Sequence, residues 1–96
     1  MDFIEIYDIT KDTLRTKASN RLKDYGCERI QYSAFLGSLE QDSLDSMQDD
    51  LEGILRKGST SDSILIIPIC KTCQEKIQEL GEKRDILADD RLLFLA

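Results

Sequence analysis

The chain contains no histidine. That absence excludes Ser-His-Asp and Cys-His catalysis within the chain, and with them the usual His-ligated zinc hydrolases. A hydrolase built from these residues must rely on carboxylates with a hard metal, or on Lys, Tyr or Arg. No segment approaches the roughly 20 apolar residues that span a bilayer. The N-terminus, Met1-Asp2-Phe3-Ile4-Glu5, has neither a basic region nor a small-residue cleavage site, so no signal peptide is expected and a cytoplasmic location is. Cysteines are few and odd in number (Cys27, Cys70, Cys73), which argues against a disulfide framework. Cations are also scarce: 13 Lys and Arg face 19 Asp and Glu, for a net charge of −6. On its face that balance disfavours a nucleic-acid binder, because phosphate contacts need Lys and Arg.

What is present fits one small domain. The chain has 96 residues, of which 41% are hydrophobic and 33% charged. That supports a single modest core. Residues 3–9, Phe3-Ile4-Glu5-Ile6-Tyr7-Asp8-Ile9, are β-branched and aromatic and predict a strand. One face carries Ile4, Ile6 and Asp8; the other carries Phe3, Glu5, Tyr7 and Ile9. Thr10 is the expected cap of a helix in which Leu14, Ala18, Leu22 and Tyr25 recur at helical spacing, and Gly26 is the expected stop. This first helix holds Lys11, Arg15, Lys17, Arg21 and Lys23 against Asp12 and Asp24, so it is the basic part of the molecule.

Residues 28–37 read as extended chain with a kink near Gln31 to Ser33. A second helix is expected over Gln41 to Lys57, with Leu44, Met47, Leu51, Ile54 and Leu55 as its apolar stripe and five acids on the remainder. A loop at 58–62 follows. Ser63 to Ile69 is apolar without alternation, which predicts a strand buried on both faces, with Pro68 placing it at a sheet edge or marking its end. A helical turn is expected from Gln74 to Leu80, ending at Gly81. Beyond it, Arg84 to Leu87 and Arg91 to Leu95 are partly extended, and the last should be a strand.

The order predicts an α+β, ferredoxin-like βαββαβ sandwich, with both helices on one sheet face and an extra C-terminal strand. Residues 1–80 are expected to form the ferredoxin-like domain, and residues 81–96 an extension whose strand docks on a sheet edge, that of the partner subunit. Because the first and fourth strands are apolar on both sides, the sheet face away from the helices needs a cover. A second copy of the chain is the cheapest one, giving a two-fold dimer through the sheet face. The apolar tail Leu92-Leu93-Phe94-Leu95 is expected to add to a sheet edge within the chain or across the dimer.

Asp8, at the C-terminal end of a strand, reads either as a turn aspartate or as a metal ligand. One carboxylate is a poor Mg²⁺ site, but a two-fold dimer would bring a second Asp8. The basic residues of the first helix, with Arg29, read as a solvated face or as a phosphate-binding stripe in which Arg15 and Arg29 grip best. Tyr7, Tyr32 and Phe35 read as core aromatics or as surfaces for stacking bases. Cys70-Lys71-Thr72-Cys73 supplies only two zinc ligands and lacks a thioredoxin-like setting, so a structural role is preferred. Cys27 reads as a buried thiol. No phosphate-binding loop, dinucleotide fingerprint or EF-hand loop is present.

Five blocks, in this order, resemble the CRISPR-associated endoribonuclease family, the small ferredoxin-like partner of the CRISPR spacer integrase. They are Tyr7-Asp8-Ile9-Thr10, Leu14-Arg15, Leu22-Lys23-Asp24-Tyr25-Gly26, residues 29–37 from Arg29 to Gly37, and Ile67-Pro68-Ile69-Cys70-Lys71-Thr72-Cys73. Leu36 stands where many members carry an acid. The resemblance implies a homodimer whose C-terminal strand packs on the partner's sheet and which takes part in acquiring new spacers. It implies a Mg²⁺-dependent endonuclease acting on RNA or double-stranded DNA, or else a non-catalytic bridge between integrase dimers and a DNA duplex. Asp8 then corresponds to the family's proposed metal ligand. Tyr7, Arg15, Lys17, Arg29 and Phe35 match positions implicated in substrate handling. Ser33 falls close to the dimer axis, and Leu93 and Phe94 fall in the docking strand.

Together these readings predict a metal-dependent nuclease: Mg²⁺ on Asp8 of each subunit, phosphate on Arg15 and Arg29, and a metal-activated water. The rivals are the non-cutting adaptor and a small ligand-sensing module. The acidic balance predicts weak, sharply salt-dependent binding of nucleic acid.

Overall fold

The computed structural model describes residues 1–81. The chain runs β1 (Asp2–Asp8), α1 (Asp12–Asp24), β2 (Glu28–Gln31), β3 (Ala34–Ser38), α2 (Gln41–Leu55), β4 (Ser63–Pro68) and α3 (Lys71–Glu75). The four strands form one antiparallel sheet in the order β2-β3-β1-β4. This is the ferredoxin-like order expected from the alternation of elements.

β1 sits between β3 and β4 and sets the two faces of the sheet. Its Phe3, Glu5 and Tyr7 are buried, whereas Ile6 and Asp8 are exposed and Ile4 is half-buried. α1 and α2 cover the first set. Leu14, Ala18 and Leu22 of α1 join Leu44, Met47 and Leu51 of α2 over Phe3, Tyr7, Phe35 and Cys27 to make the core. Gly37 of β3 lies in this layer, where a Cβ would come within 2.6 Å of both Cys27 Sγ and the Phe3 ring. The sheet therefore approaches the core more closely there than any larger residue would allow.

α1 ends as expected. Gly26 adopts φ +84°, and the amides of Gly26 and Cys27 bond back to Lys23 O and Leu22 O at 2.9 and 3.0 Å. These two bonds are the Schellman pair that satisfies the last carbonyls of a helix. The extended run at 28–37 divides at a Tyr32-Ser33 turn, and Ser33 O accepts from Tyr7 N at 3.0 Å.

Three expectations are corrected. Thr10 does not cap α1: the N-cap is Lys11, with no side-chain cap bond. Thr10 instead gives its N–H and its hydroxyl to Asp62 Oδ1, at 3.0 and 2.9 Å, tying the β1–α1 loop to the loop before β4. β4 is not buried on both faces, since Leu65 is 59% exposed and Ile67 39%. It is an edge strand with one neighbour, as Pro68 signalled, and its apolar run lacks a cover within the described residues. The third helix starts at Lys71 rather than Gln74, because Cys70 Sγ caps it by accepting from Cys73 N at 3.4 Å. The expected tail strand, with Leu93 and Phe94, lies outside the described residues.

Candidate nucleic-acid interface and metal ligand

The helical period of α1 aims Arg15, Ser19 and Lys23 along one line, at i, i+4 and i+8. The β2–β3 hairpin faces that line. Register sets Arg29 opposite Phe35, so both project toward the helices. Between α1 and the hairpin lies a groove of about 410 Å³, walled by Tyr7, Arg15, Ser19, Lys23, Arg29 and Tyr32, with Asp12, Thr16 and Asn20 completing it.

Arg29 is the most firmly held cation in the groove. Its guanidinium lies 5.1 Å from the Phe35 ring centre, and Nη2 donates to Ser19 Oγ at 2.6 Å. Cation–π contacts of this kind contribute about 0.5–2 kcal/mol. Tyr7 stacks on the same Phe35 ring at 6.2 Å. Burial pushes the Tyr7 phenol above its ordinary range, with the charge of Arg29 and a bond to Ser19 pulling it partly back. Arg15 has a different task. Its Nη1 donates to Ile9 O and Thr10 O, both at 3.0 Å, and Nη2 pairs with Asp12.

The structure therefore brings Tyr7, Arg15 and Arg29 together. It leaves Lys17 off the groove and puts Lys23, which sequence reading did not single out, on its wall. Phe35 is fully buried, so it cannot stack on a base; it works from beneath, as the platform for Arg29 and Tyr7. Ser33 is half-buried in the hairpin turn.

Asp8 lies elsewhere. It is exposed at the end of β1, paired in register with Ser63 of β4. Strand alternation puts it on the face opposite Tyr7, in line with Ile4 and Ile6. Among the described residues no group of three or more Asp, Glu, Cys or His could hold a metal ion. In one chain, then, the candidate metal ligand and the cationic groove sit on opposite faces of the sheet.

One titratable group escaped sequence reading. Glu5 is fully buried on the helix-facing side of β1. Burial pushes its carboxyl up to about 7, although Gln48 Nε2 donates to Oε1 at 3.3 Å and pulls it down; Oε2 is buried without a partner. Its place between Phe3 and Tyr7 was the available signal. Cys27 is a buried thiol raised to about 11 by burial, with Glu5 adding to the effect. Cys70 and Cys73 are free and exposed.

The profile of the family described as CRISPR associated protein Cas2 matches residues 1–77. The chain belongs to this family. A Cas2 relative from Korarchaeum cryptofilum, named CRISPR-associated endoribonuclease Cas2, is 43% identical over 78 residues, covering 79% of this chain and 80% of that one. A second relative, from Methanospirillum hungatei and named CRISPR-associated endoribonuclease Cas2 1, is 37% identical over 73 residues, with 76% and 75% covered. The crystal structure of hypothetical protein TT1823 from Thermus thermophilus superposes with a TM-score of 0.70 at 31% identity, over 84% of this chain and 90% of that one. Streptococcus pyogenes Cas2, crystallised at pH 6.5, gives 0.73 at 23% identity over 84% and 100% and shares the fold. The Cas2 match covers β1 through α3, so it includes Asp8, the groove and the Cys70–Cys73 turn.

Proposed function

We propose that the chain serves CRISPR adaptation as a metal-dependent endonuclease acting on RNA or duplex DNA, and that it does so in the cytoplasm as a two-fold dimer. The carrying observation is the position of Asp8: an exposed carboxylate at the margin of an apolar sheet face, formed by Ile6, Leu65 and Ile67, that is left exposed among the described residues. A second copy stacked on that face would bring a second Asp8 near the first. Two carboxylates plus substrate phosphate is a donor set that suits Mg²⁺. Among the described residues, one chain alone does not supply it. When bound, the metal would polarise the phosphodiester and its attacking water. The protein's own share is to hold the carboxylates at strand ends and to fix a phosphate-bearing strand with Arg29 and Lys23. Leu93 and Phe94 would dock the tail on the partner's sheet.

Labelled RNA and duplex DNA, incubated with the protein and with Asp8→Asn, each with and without Mg²⁺, test this reading. Cleavage should require the metal and should fall at least a hundredfold in the variant. Cleavage that persists in Asp8→Asn sinks the catalytic proposal.

The separation of Asp8 from the arginines favours a second reading. In it the chain is an adaptor that binds duplex and the CRISPR integrase without cutting. Integrase binding would then be unaffected by Asp8→Asn and lost on truncation before Arg91.

A further inference from the structure

The groove between α1 and the β2–β3 hairpin carries more detail than a general phosphate stripe needs. Its floor is rigid. Phe35 supports the Arg29 guanidinium from below, and buried Ser19 holds it from the side at 2.6 Å. Arg29 nevertheless makes no ion pair among the described residues, and its Nε is shielded from solvent without an acceptor. Arg15, across the groove, is already matched by Asp12 and two carbonyls. Among the described residues, the floor therefore offers one fixed guanidinium without a countercharge. At the mouth, Tyr32 is 68% exposed at the hairpin tip. An anchored cation with an uncovered aromatic ring beside it suits an anion that carries a flat ring.

We infer that this groove binds one unpaired nucleotide, its phosphate on Arg29 and its base against Tyr32. The volume of about 410 Å³ falls in the range of small-molecule sites. A paired base would have no face to offer Tyr32. The acidic chain, at −6, also disfavours a long run of duplex backbone, whereas a single phosphate needs only the local cation. The inference rests on the nucleic-acid reading above but not on Asp8, which lies across the sheet. The nucleotide is either free or the unpaired end of a strand.

Calorimetric titration of the full chain tests this with adenosine monophosphate, adenosine, inorganic phosphate, a single-stranded oligonucleotide and the matching duplex. Adenosine monophosphate should bind more tightly than phosphate or adenosine. Arg29→Gln should weaken it at least tenfold, with Arg29→Lys recovering part of the loss. Tyr32→Ala, at an exposed turn where folding is not at stake, should cost roughly tenfold for the nucleotide and leave phosphate unchanged. Asp8→Asn should bind as the parent does, which separates failure of this site from failure of the nuclease proposal. Single strand binding as well as the mononucleotide assigns the strand end; mononucleotide alone assigns a free nucleotide. Tighter binding of duplex than of single strand, no binding of either nucleotide probe, or a Tyr32→Ala variant indistinguishable from the parent would overturn the inference.

Discussion

Toward the helices, β1 presents Phe3, Glu5 and Tyr7, all sealed from solvent. Toward the other side, the same strand presents Ile4, Ile6 and Asp8, beside Leu65 and Ile67 of β4. Both faces are mostly apolar, yet only one has a partner layer within the described residues. A run of apolar residues states that burial is needed, not which chain provides it. The contrast also divides the chemistry. Tyr7 and Asp8 are sequence neighbours, but alternation sends the first into the groove region and the second to the open side.

The largest effect should come from the sealed face. Phe35 is fully buried and supports both Tyr7 and Arg29. Phe35→Ala should destabilise the chain by about 3–5 kcal/mol through lost burial and a residual cavity. Domains of this size have only about 5–15 kcal/mol in total. Urea unfolding would measure it, and a loss under 1 kcal/mol would mean that the helix-covered side is no better packed than the open one.

Glu5 gives the next effect, and it depends on pH. The folded carboxyl titrates at about 7, above its ordinary 4.5, so the folded state holds a proton that the unfolded chain has released. Stability is then highest below about 4.5 and falls as pH rises through about 7. The loss is on the order of 2–4 kcal/mol. Glu5→Gln keeps the shape and removes the charge, so it should melt higher than the parent at pH 8 and about equally at pH 4.5. Parallel melting curves for the two proteins across that range would contradict the buried, unpaired Oε2.

A smaller effect belongs to the loop that joins the two regions. Burial would raise the Asp62 carboxyl, but hydrogen bonds from Thr10 and from Ser59 N hold it below its usual range. A lowered carboxylate stabilises above its unfolded value and loses that contribution as pH falls. Asp62→Ala should lower Tm modestly at pH 7, and the gap from the parent should close in acid.

Much of this was legible in the sequence, and the failures share a cause. The β1 alternation, the Gly26 stop and the Leu44-Met47-Leu51 stripe are local patterns, and each element formed where its pattern placed it. Thr10 looked like a cap because it precedes a helix; its partner, Asp62, is 52 residues away, where no local pattern reaches. Phe35 read as a core aromatic or as a stacking surface, and only register and burial, which set it under Arg29, decide for the first. Lys17 was joined to Arg15 by the family resemblance, whereas the i, i+4, i+8 line from Arg15 leads to Ser19 and Lys23. Glu5 was visible as an acid on an apolar face, but its lack of a second partner follows only from packing.

The gentlest substitution tests the open face most sharply. Leu65 is 59% exposed, so Leu65→Lys should change the stability of a single chain by no more than about 0.5 kcal/mol. In a dimer stacked on that face the same change would bury an unpaired ammonium against Ile6 and its counterparts, at a cost that association could not meet. Light scattering at micromolar concentration should show the parent as a dimer and Leu65→Lys as a monomer with an unchanged circular dichroism spectrum. Metal-dependent cleavage should disappear with the dimer, because the two Asp8 carboxylates no longer meet, while binding of a mononucleotide in the groove on the other side should persist. A variant that stays dimeric would place the interface elsewhere, and the open face, with its paired-carboxylate site, would lose its explanation.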